Sequence, residues 1–273
     1  MIELHCHTTF SDGTLTPTRL VESAVRAGVR ALAITDHDTT SGWAEAQQAA
    51  EAFSQTTPIE IVPGLELSTV HNDKSMHILG FYPDPEKLSG PLVDRLNGRK
   101  QRAQEMLDKL AALGYPIELP PLGEGMAPGR PHIAKALWEA GYVKDMQEAF
   151  DRLLGDDQPA CVEYEKFYSH EGIQLLLDCG AIPVWAHPYL FKGGEVEIVL
   201  PKLLDAGLMG IEVFHPSHTD YQQEKLARFC QTHGLLMTGG SDYHGPSAGH
   251  HAGLNSQNVP MALLDRLKEA RQN

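Results

Sequence analysis

Short apolar runs alternate with helical patterns along most of this 273-residue chain. The runs have the length and composition of buried strands, and the apolar spacing between them is typical of amphipathic helices. Strands are predicted at 2–5, 30–35, 59–67, 76–82, 181–186, 210–214 and 235–239. Repeated strand–helix units build a mostly parallel sheet, and about seven of them in one chain favour a barrel of the α/β class.

Residues 88–167 interrupt this alternation. They contain no convincing strand but three helical patterns, at 91–113, 131–140 and 145–154, with a Pro/Gly-rich stretch from Tyr115 to Pro131. We therefore predict a barrel domain made of residues 1–87 and 168–273 and a helical insertion domain at 88–167. Insertions in such barrels lie over the loop face that carries active sites, so the insertion is expected to form a cap.

The charge balance excludes several kinds of partner. Lys and Arg number 22 against 36 Asp and Glu, a net charge of −14. Long-duplex nucleic acids and anionic membranes both attract basic surfaces, so neither is an expected partner. The start MIELHCHTTF does not resemble a signal peptide and no run approaches the length of a membrane span, which predicts a cytoplasmic protein. The four Cys form no CxxC pair, so neither disulfides nor a thiolate zinc site is indicated.

The 14 histidines are unusually many, and a large share of them falls at predicted strand ends. His5 and His7 end the first strand, where residues two apart project to the same face and can reach one metal ion. Six predicted strands carry a His, Asp or Glu at or near the carboxyl end, which is the catalytic rim of a βα barrel. The candidate metal ligands are His5, His7, Asp12, His37, Glu66, His77, His187, Asp242 and His244.

This ligand set predicts more than one divalent ion. Imidazole and carboxylate without thiolate suit zinc, manganese or iron. One ion usually takes roughly three or four protein groups, so the candidates imply two or three ions. Manganese is the expected metal, with iron or zinc as alternatives.

In order along the chain, these residues resemble the motifs of the PHP (polymerase and histidinol phosphatase) family. The matching segments are His5-Cys6-His7, Ser11-Asp12-Gly13, Thr35-Asp36-His37-Asp38, Gly64-Leu65-Glu66, His77, Ala186-His187-Pro188 and Gly240-Ser241-Asp242-Tyr243-His244. The resemblance implies a distorted (β/α)7 barrel that holds two or three divalent ions and hydrolyses phosphate esters. It further implies three ligand groups: His5, His7, Glu66 and Asp242; Glu66, His77 and His187; and Asp12, His37 and His244.

The insertion adds a hypothesis about the substrate. Gly129-Arg130-Pro131-His132-Ile133-Ala134 and the following residues 139–143 resemble the insertion of a subgroup that acts on small nucleotides. That subgroup includes phosphatases of nucleoside 3′,5′-bisphosphates and enzymes that trim short oligonucleotides from the 5′ end. The resemblance therefore implies release of phosphate from a bisphosphate to leave a nucleoside 5′-monophosphate. A 5′-3′ exoribonuclease acting on short single-stranded RNA is the alternative.

Further residues are candidates for roles in this chemistry. Adjacent metal ions can activate a water, so no nucleophilic side chain is needed, and the chain has neither a GxSxG elbow nor a P-loop. Glu66 would bridge two ions. His215 and His218, which follow the strand at 210–214, are candidates for protonating the leaving alkoxide; solvent-facing loop histidines are the alternative interpretation.

Basic residues of the insertion are candidates for substrate binding. Arg130 precedes Pro131, a good first residue of a helix, so its guanidinium and the helix amides could jointly hold a phosphate. His132 belongs to the same motif. Arg99 lies in a basic run at 95–102, for which a solvated helix face is the alternative explanation.

Three other functions compete with a nucleotide phosphatase. Histidinol phosphate phosphatase is another small-substrate activity of the family. A metal amidohydrolase also begins with HxH at a first strand end, but such enzymes commonly use a bridging Lys where this chain has Glu66. A non-catalytic, metal-stabilised module is the third, and the complete ligand set argues against it.

Overall fold

The computed structural model describes residues 1–120, 127–162, 166–246 and 252–271, so residues 121–126 of the predicted Pro/Gly-rich stretch lie outside the described residues. Within the described part, seven strands form one sheet in chain order. The strands are β1 (Ile2–Glu3), β2 (Ala31–Ile34), β3 (Glu60–His71), β4 (Lys74–Phe81), β5 (Ile182–Trp185), β6 (Gly210–Phe214) and β7 (Leu236–Gly239). All seven correspond to predicted strands, and β3 extends furthest beyond its predicted end.

Helices follow the strands as the alternation predicted. The α-helices among the described residues are α1 (Pro17–Arg26), α2 (Trp43–Glu51), α3 (Pro85–Ala112), α4 (Arg130–Glu139), α5 (Met146–Ala149), α6 (Ser169–Asp178), α7 (Val196–Asp205), α8 (Asp220–His233) and α9 (Met261–Ala270). Local chemistry sets their ends. Helix α1 begins at Pro17, and the side chain of Thr16 just before it accepts a hydrogen bond from the Arg19 amide. Gly234 ends α8 at φ 67°, a left-handed conformation that glycine adopts readily.

Strand β4 distorts the otherwise parallel barrel. It pairs antiparallel with both β3 and β5, whereas the other neighbouring strands pair in parallel. The β3–β4 connection turns at Asn72 and Asp73, both at positive φ. The beginning of β4 therefore lies at the rim where the parallel strands end. The expectation that His77 falls near the carboxyl end of its strand was wrong: His77 lies near the start of β4, and the antiparallel direction of β4 is what brings it beside residues that follow the ends of other strands.

Backbone hydrogen bonds close the barrel between its first and last strands. The Leu4 amide donates to the Gly239 carbonyl at 3.1 Å, and the His7 amide donates to the Tyr243 carbonyl at 2.9 Å. Both bonds join residues that follow β1 to residues at or just after the end of β7. Closure thus places the residues after β1 beside the segment that carries Asp242.

Apolar clusters pack the barrel against its helices. One joins strand residues such as Ile2 and Val184 to Leu264 of α9. Another joins Leu20 of α1 to Leu32 of β2. These buried contacts make the strands a rigid scaffold for the side chains at the rim.

The chain divides into two compact units, one of Met1–Gly90 with Phe167–Asn273 and the other of Pro91–Lys166. The second unit has its own apolar cluster, in which Met106 of α3, Ile133 of α4 and Leu153 take part. Its extent is similar to the insertion predicted at 88–167. The cap role of the insertion stays a prediction. No helix in the described ranges is both long and apolar enough to cross a membrane.

Candidate metal centre

The structure brings all nine predicted ligands together at one rim of the barrel. Each has a ligand-type atom within 3.7 Å of another member of the set. The residues come from segments that are far apart in sequence, and the barrel strands deliver them to a common volume. The strand-end pattern therefore identified residues that share one site.

Glu66, near the middle of β3, lies at the centre of this set. Its side chain is 1% exposed. One carboxylate oxygen, Oε2, lies 3.1–3.2 Å from ring nitrogens of His5, His7 and His37. The other, Oε1, lies 2.8–3.0 Å from ring nitrogens of His77 and His187. Glu66 thus presents its two oxygens to two different groups of imidazoles.

Among the residues that the structure describes, three overlapping groups have geometry suited to a metal ion. They are His5, His7, Glu66 and Asp242; His37, Glu66 and His77; and His7, Asp12, His37 and His244. The first matches the group implied by the family resemblance. The second has His37 in the place of His187, although His187 Nε2 lies 3.0 Å from Glu66 Oε1. The assignment of each ligand to a particular ion stays a prediction.

Unsatisfied buried atoms show that these residues fit a metal. Nε2 of His5, Nε2 of His7 and Oδ1 of Asp242 are buried without a hydrogen bond of acceptable geometry among the described residues. Even so, each imidazole nitrogen lies within 3.3 Å of that carboxylate oxygen. Buried polar atoms are unfavourable unless they are partnered. A divalent cation shared by the three atoms would satisfy all of them at once.

The carboxylates of the site are held ionised by the histidines. Burial by itself raises the pKa of Glu66, but the surrounding imidazoles, His37 foremost, outweigh it and hold the pKa well below the usual range. The same balance holds the pKa of Asp12 and of Asp242 well below the usual range. The site thus offers ionised carboxylates to a cation.

The pKa values of the histidines shift in different directions, depending on the surroundings of each ring. Burial lowers the pKa of His7, but Asp242 and Glu66 outweigh it and raise that pKa to about 10. Burial dominates at His37 and lowers its pKa to about 4. An imidazole must lose its proton to ligate a metal, so an ion bound by His7 would displace a proton.

His215 and His218 are buried beside the centre, so the alternative interpretation as solvent-facing loop residues is wrong. The Ser217 amide donates to Nδ1 of His215 at 3.2 Å, so neutral His215 carries its proton on Nε2. This Nε2 lies 3.6 Å from Asp242 Oδ2. In His218, Nδ1 donates to the Val213 carbonyl at 2.9 Å, which leaves the lone pair on Nε2. Burial lowers the pKa of His218 to about 4.

Asp36 supports the loop that carries one of the predicted ligands. It lies within the Thr35-Asp36-His37-Asp38 motif but takes no part in the three groups. Instead it accepts hydrogen bonds of 2.6–2.7 Å from the Thr8 amide, the Thr8 hydroxyl and the Ser11 hydroxyl. These bonds hold the turn that leads to Asp12.

Two buried carboxylates inside the barrel were missed by sequence reasoning. Glu212 of β6 accepts a hydrogen bond from a ring nitrogen of His5. Glu3 of β1 accepts hydrogen bonds from the Ser241 and Asn255 amides. In the sequence, Glu3 stands between Ile2 and Leu4, and Glu212 stands between Ile211 and Val213. Each is therefore a single charge within an apolar run. That pattern is the signal that could have found them, because a buried charge requires a partner.

The predicted substrate-binding residues lie together within the unit Pro91–Lys166. Helix α4 begins at Arg130, one residue before the predicted start at 131. The Arg130 guanidinium donates to Asp156 Oδ1 at 2.9 Å. Nδ1 of His132 accepts from the Gly129 amide at 3.1 Å, and Arg99 Nη2 lies 3.6 Å from the point where a Cβ on Gly129 would sit. The substrate-binding role of these residues stays a prediction.

A seven-stranded α/β barrel with overlapping His and carboxylate groups at one rim defines a metal-dependent hydrolase. The PHP domain model matches residues 3–109. A solved structure from Bifidobacterium adolescentis, called a metal-dependent phosphoesterase, is 32% identical with a TM-score of 0.85, and covers 98% of this chain and 95% of its own.

Relatives with named activities are similar over almost their whole length. A 3′,5′-nucleoside bisphosphate phosphatase from Chromobacterium violaceum is 32% identical over 95% of this chain and 92% of its own. A 5′-3′ exoribonuclease from Haemophilus influenzae is 34% identical over 93% of each chain. A phosphoribosyl 1,2-cyclic phosphate 1,2-diphosphodiesterase from Eggerthella lenta is 32% identical over 90% of this chain and 95% of its own. The chain belongs to the PHP family and is a metal-dependent phosphoesterase.

Proposed function

We propose that the enzyme hydrolyses the 3′-phosphate ester of nucleoside 3′,5′-bisphosphates and leaves a nucleoside 5′-monophosphate. The observation that carries this proposal is the similarity to the Chromobacterium violaceum phosphatase, which extends over nearly the whole chain. Arg130, at the start of α4, supports it. A second phosphate needs a second anion-binding group, and arginine beside a helix N-terminus is suited to that role.

The rim residues would hold two or three divalent ions. His5, His7, Glu66 and Asp242 would hold one, Glu66, His77 and His187 a second, and Asp12, His37 and His244 a third. When bound, such ions neutralise phosphoryl oxygens and supply a water of lowered pKa for in-line attack. Manganese is the proposed ion, because histidine and carboxylate ligands suit it.

We propose His215 as the residue that protonates the leaving group. Its proton is on Nε2, which faces Asp242 beside the predicted ligands. In the imidazolium form, whose Nδ1–H can donate to the Ser217 hydroxyl at 2.7 Å, Nε2 would deliver its proton to the 3′-oxygen of the ribose as the phosphorus–oxygen bond breaks, and the ring would return to the neutral form. His218 is unsuited to the task, because its lone pair is on Nε2 and its pKa is lowered to about 4 by burial. We assign it an acceptor role.

A 5′-3′ exoribonuclease is the second candidate, and the similarity to the Haemophilus influenzae enzyme favours it. The two reactions share their chemistry. In both, water attacks the phosphorus on the 3′-oxygen of the first nucleoside, and that oxygen leaves. The bisphosphate releases inorganic phosphate, whereas RNA releases a 5′-mononucleotide and a shortened strand. One site can serve both reactions if it tolerates a chain beyond the attacked phosphorus.

The test is a product assay with manganese-loaded enzyme. Substrates are a nucleoside 3′,5′-bisphosphate, a 5′-phosphorylated RNA oligonucleotide, histidinol phosphate and p-nitrophenyl phosphate. We expect the highest kcat/KM for the bisphosphate, with inorganic phosphate as product. Faster release of mononucleotides from RNA would instead support the exoribonuclease. A preference for histidinol phosphate would contradict both nucleotide assignments.

A further inference from the structure

Glu212 links two predicted metal ligands that come from different strands. It is fully buried on β6. Its Oε1 accepts a hydrogen bond from Nδ1 of His5 at 2.9 Å. Its Oε2 accepts one from the backbone amide of His187 at 2.8 Å. We propose that Glu212 is a positioning residue that orients both histidines for the metal centre, an inference that rests on the ligand roles proposed above.

The contact with His5 determines which ring nitrogen is available to a metal. A carboxylate only accepts hydrogen bonds, so the proton of His5 is on Nδ1 and the lone pair of the neutral ring is on Nε2. Nε2 lies 3.2 Å from Glu66 Oε2 and 3.3 Å from Asp242 Oδ1. Metal-ligating histidines usually donate their other ring N–H to a carboxylate or carbonyl, which holds the ring in place.

The contact with His187 supports an unusual backbone conformation. His187 has φ 32° and ψ 60°, in the left-handed region that residues with a Cβ seldom adopt. Such a conformation persists where neighbouring contacts hold it. The hydrogen bond from its amide to Glu212 is such a contact. In this conformation Nε2 of His187 lies 3.0 Å from Glu66 Oε1.

The two contacts together reach both sides of Glu66. His5 faces Oε2 of Glu66 and His187 faces Oε1, so one carboxylate on β6 orients an imidazole on each side of the bridging residue. The register between β6 and β7 shifts between Glu212 and Phe214. Irregularities of this kind re-aim side chains near functional sites.

Glu212→Gln tests the proposal with little change in side-chain size. Glutamine offers one oxygen and one NH₂ group, so one of the two N–H donors would face another donor. We expect manganese affinity to weaken by about 10- to 100-fold, the usual effect of losing such a partner. The readout is a titration with Mn²⁺ that follows the electron paramagnetic resonance signal of the free ion. Added Mn²⁺ should also restore phosphatase activity toward the wild-type value.

Glu3→Gln is the matched control. Glu3 is an equally buried barrel carboxylate, and its hydrogen-bond donors, Ser241 and Asn255, are not predicted ligands. We expect this variant to bind Mn²⁺ with wild-type affinity. If Glu3→Gln weakened binding as much as Glu212→Gln, the effect would be general to buried carboxylates and the proposal would fall. Wild-type affinity in Glu212→Gln would overturn it as well.

Two further variants keep the result interpretable. Should Glu212→Gln fail to fold, Glu212→Asp retains the charge but shortens the reach, and it should weaken Mn²⁺ binding; wild-type affinity in a folded Glu212→Asp would refute the positioning role. Unchanged Mn²⁺ affinity in His5→Ala would remove the ligand role of His5 and with it that of Glu212. The titration uses no substrate, so a failed bisphosphate assignment leaves its outcome unaffected.

Discussion

Glu66→Gln would preserve the size of the central side chain while removing one of its two metal-binding oxygens. The carboxylate contacts imidazoles through both oxygens, His5, His7 and His37 through Oε2, and His77 and His187 through Oε1. Glutamine presents an oxygen to only one of these groups, and its NH₂ group cannot ligate a cation. Whichever way the amide turns, one predicted ion loses a ligand.

The expected loss follows from that geometry. Metal-assisted charge stabilisation contributes several kcal/mol to phosphoryl transfer, so losing about 3–5 kcal/mol would lower kcat by roughly 10²- to 10⁴-fold. Glu66→Ala removes both oxygens and should reduce turnover further. The order of activity should therefore be wild type, then glutamine, then alanine, with metal content per chain falling in the same order.

The assay measures kcat on p-nitrophenyl phosphate and metal content by elemental analysis. Glu60→Gln is the matched control, because Glu60 is on the same strand but forms an exposed ion pair with Lys268 at 2.6 Å. Exposed pairs contribute at most about 1 kcal/mol to stability, so this control should keep wild-type turnover. If Glu66→Ala retained more than about a tenth of wild-type kcat, a loss of only ~1.4 kcal/mol, the bridging role would be refuted.

Three further predictions test the metals, the barrel interior and the insertion. Elemental analysis of protein purified without chelator should find more than one divalent ion per chain; one or fewer after reloading would contradict a multinuclear centre. In metal-free protein, burial raises the pKa of Glu3 from 4.5 to about 7. The folded state then binds this proton more tightly than the unfolded chain. The free energy of unfolding should therefore fall by about 3 kcal/mol, relative to Glu3→Gln, as pH rises from 4.5 to above 7. If the difference in unfolding free energy between the wild type and Glu3→Gln did not change with pH, this prediction would be refuted. Arg130→Ala should lower kcat/KM for a 3′,5′-bisphosphate by about 10- to 100-fold and leave p-nitrophenyl phosphate unchanged, since a charge-assisted contact is lost. Asp156→Asn, which breaks the ion pair but keeps the arginine, should not reproduce that loss, and an equal loss in both variants would indicate a structural role for Arg130.

Local patterns in the sequence were sufficient to locate the secondary structure and the predicted ligands. Thr16 and Pro17 mark the start of α1 because capping and a fixed φ act within one turn. Short apolar runs indicate strands because burial of a strand depends on its own composition. His, Asp and Glu at the ends of those runs indicated the rim, since the carboxyl ends of parallel barrel strands lie at one edge.

Only the tertiary structure decided how these residues are grouped. The antiparallel direction of β4 places His77 at the rim and beside His37, which the strand pattern alone does not specify. The hydrogen bond from His5 to Glu212 joins residues 207 positions apart. The pairing of Arg130 with Asp156 is likewise invisible in the helix-start motif.

The physical reason is the range over which each signal acts. Periodicity and capping report on the burial and hydrogen bonding of a single segment, so they can be read from neighbouring residues. Which imidazole meets which carboxylate depends on strand direction, register and closure of the barrel. Those are set by contacts between distant parts of the chain. The sequence therefore determines which residue types lie at the rim. The closed fold determines the partner of each one, including the contacts of Glu212 on β6 with His5 and His187.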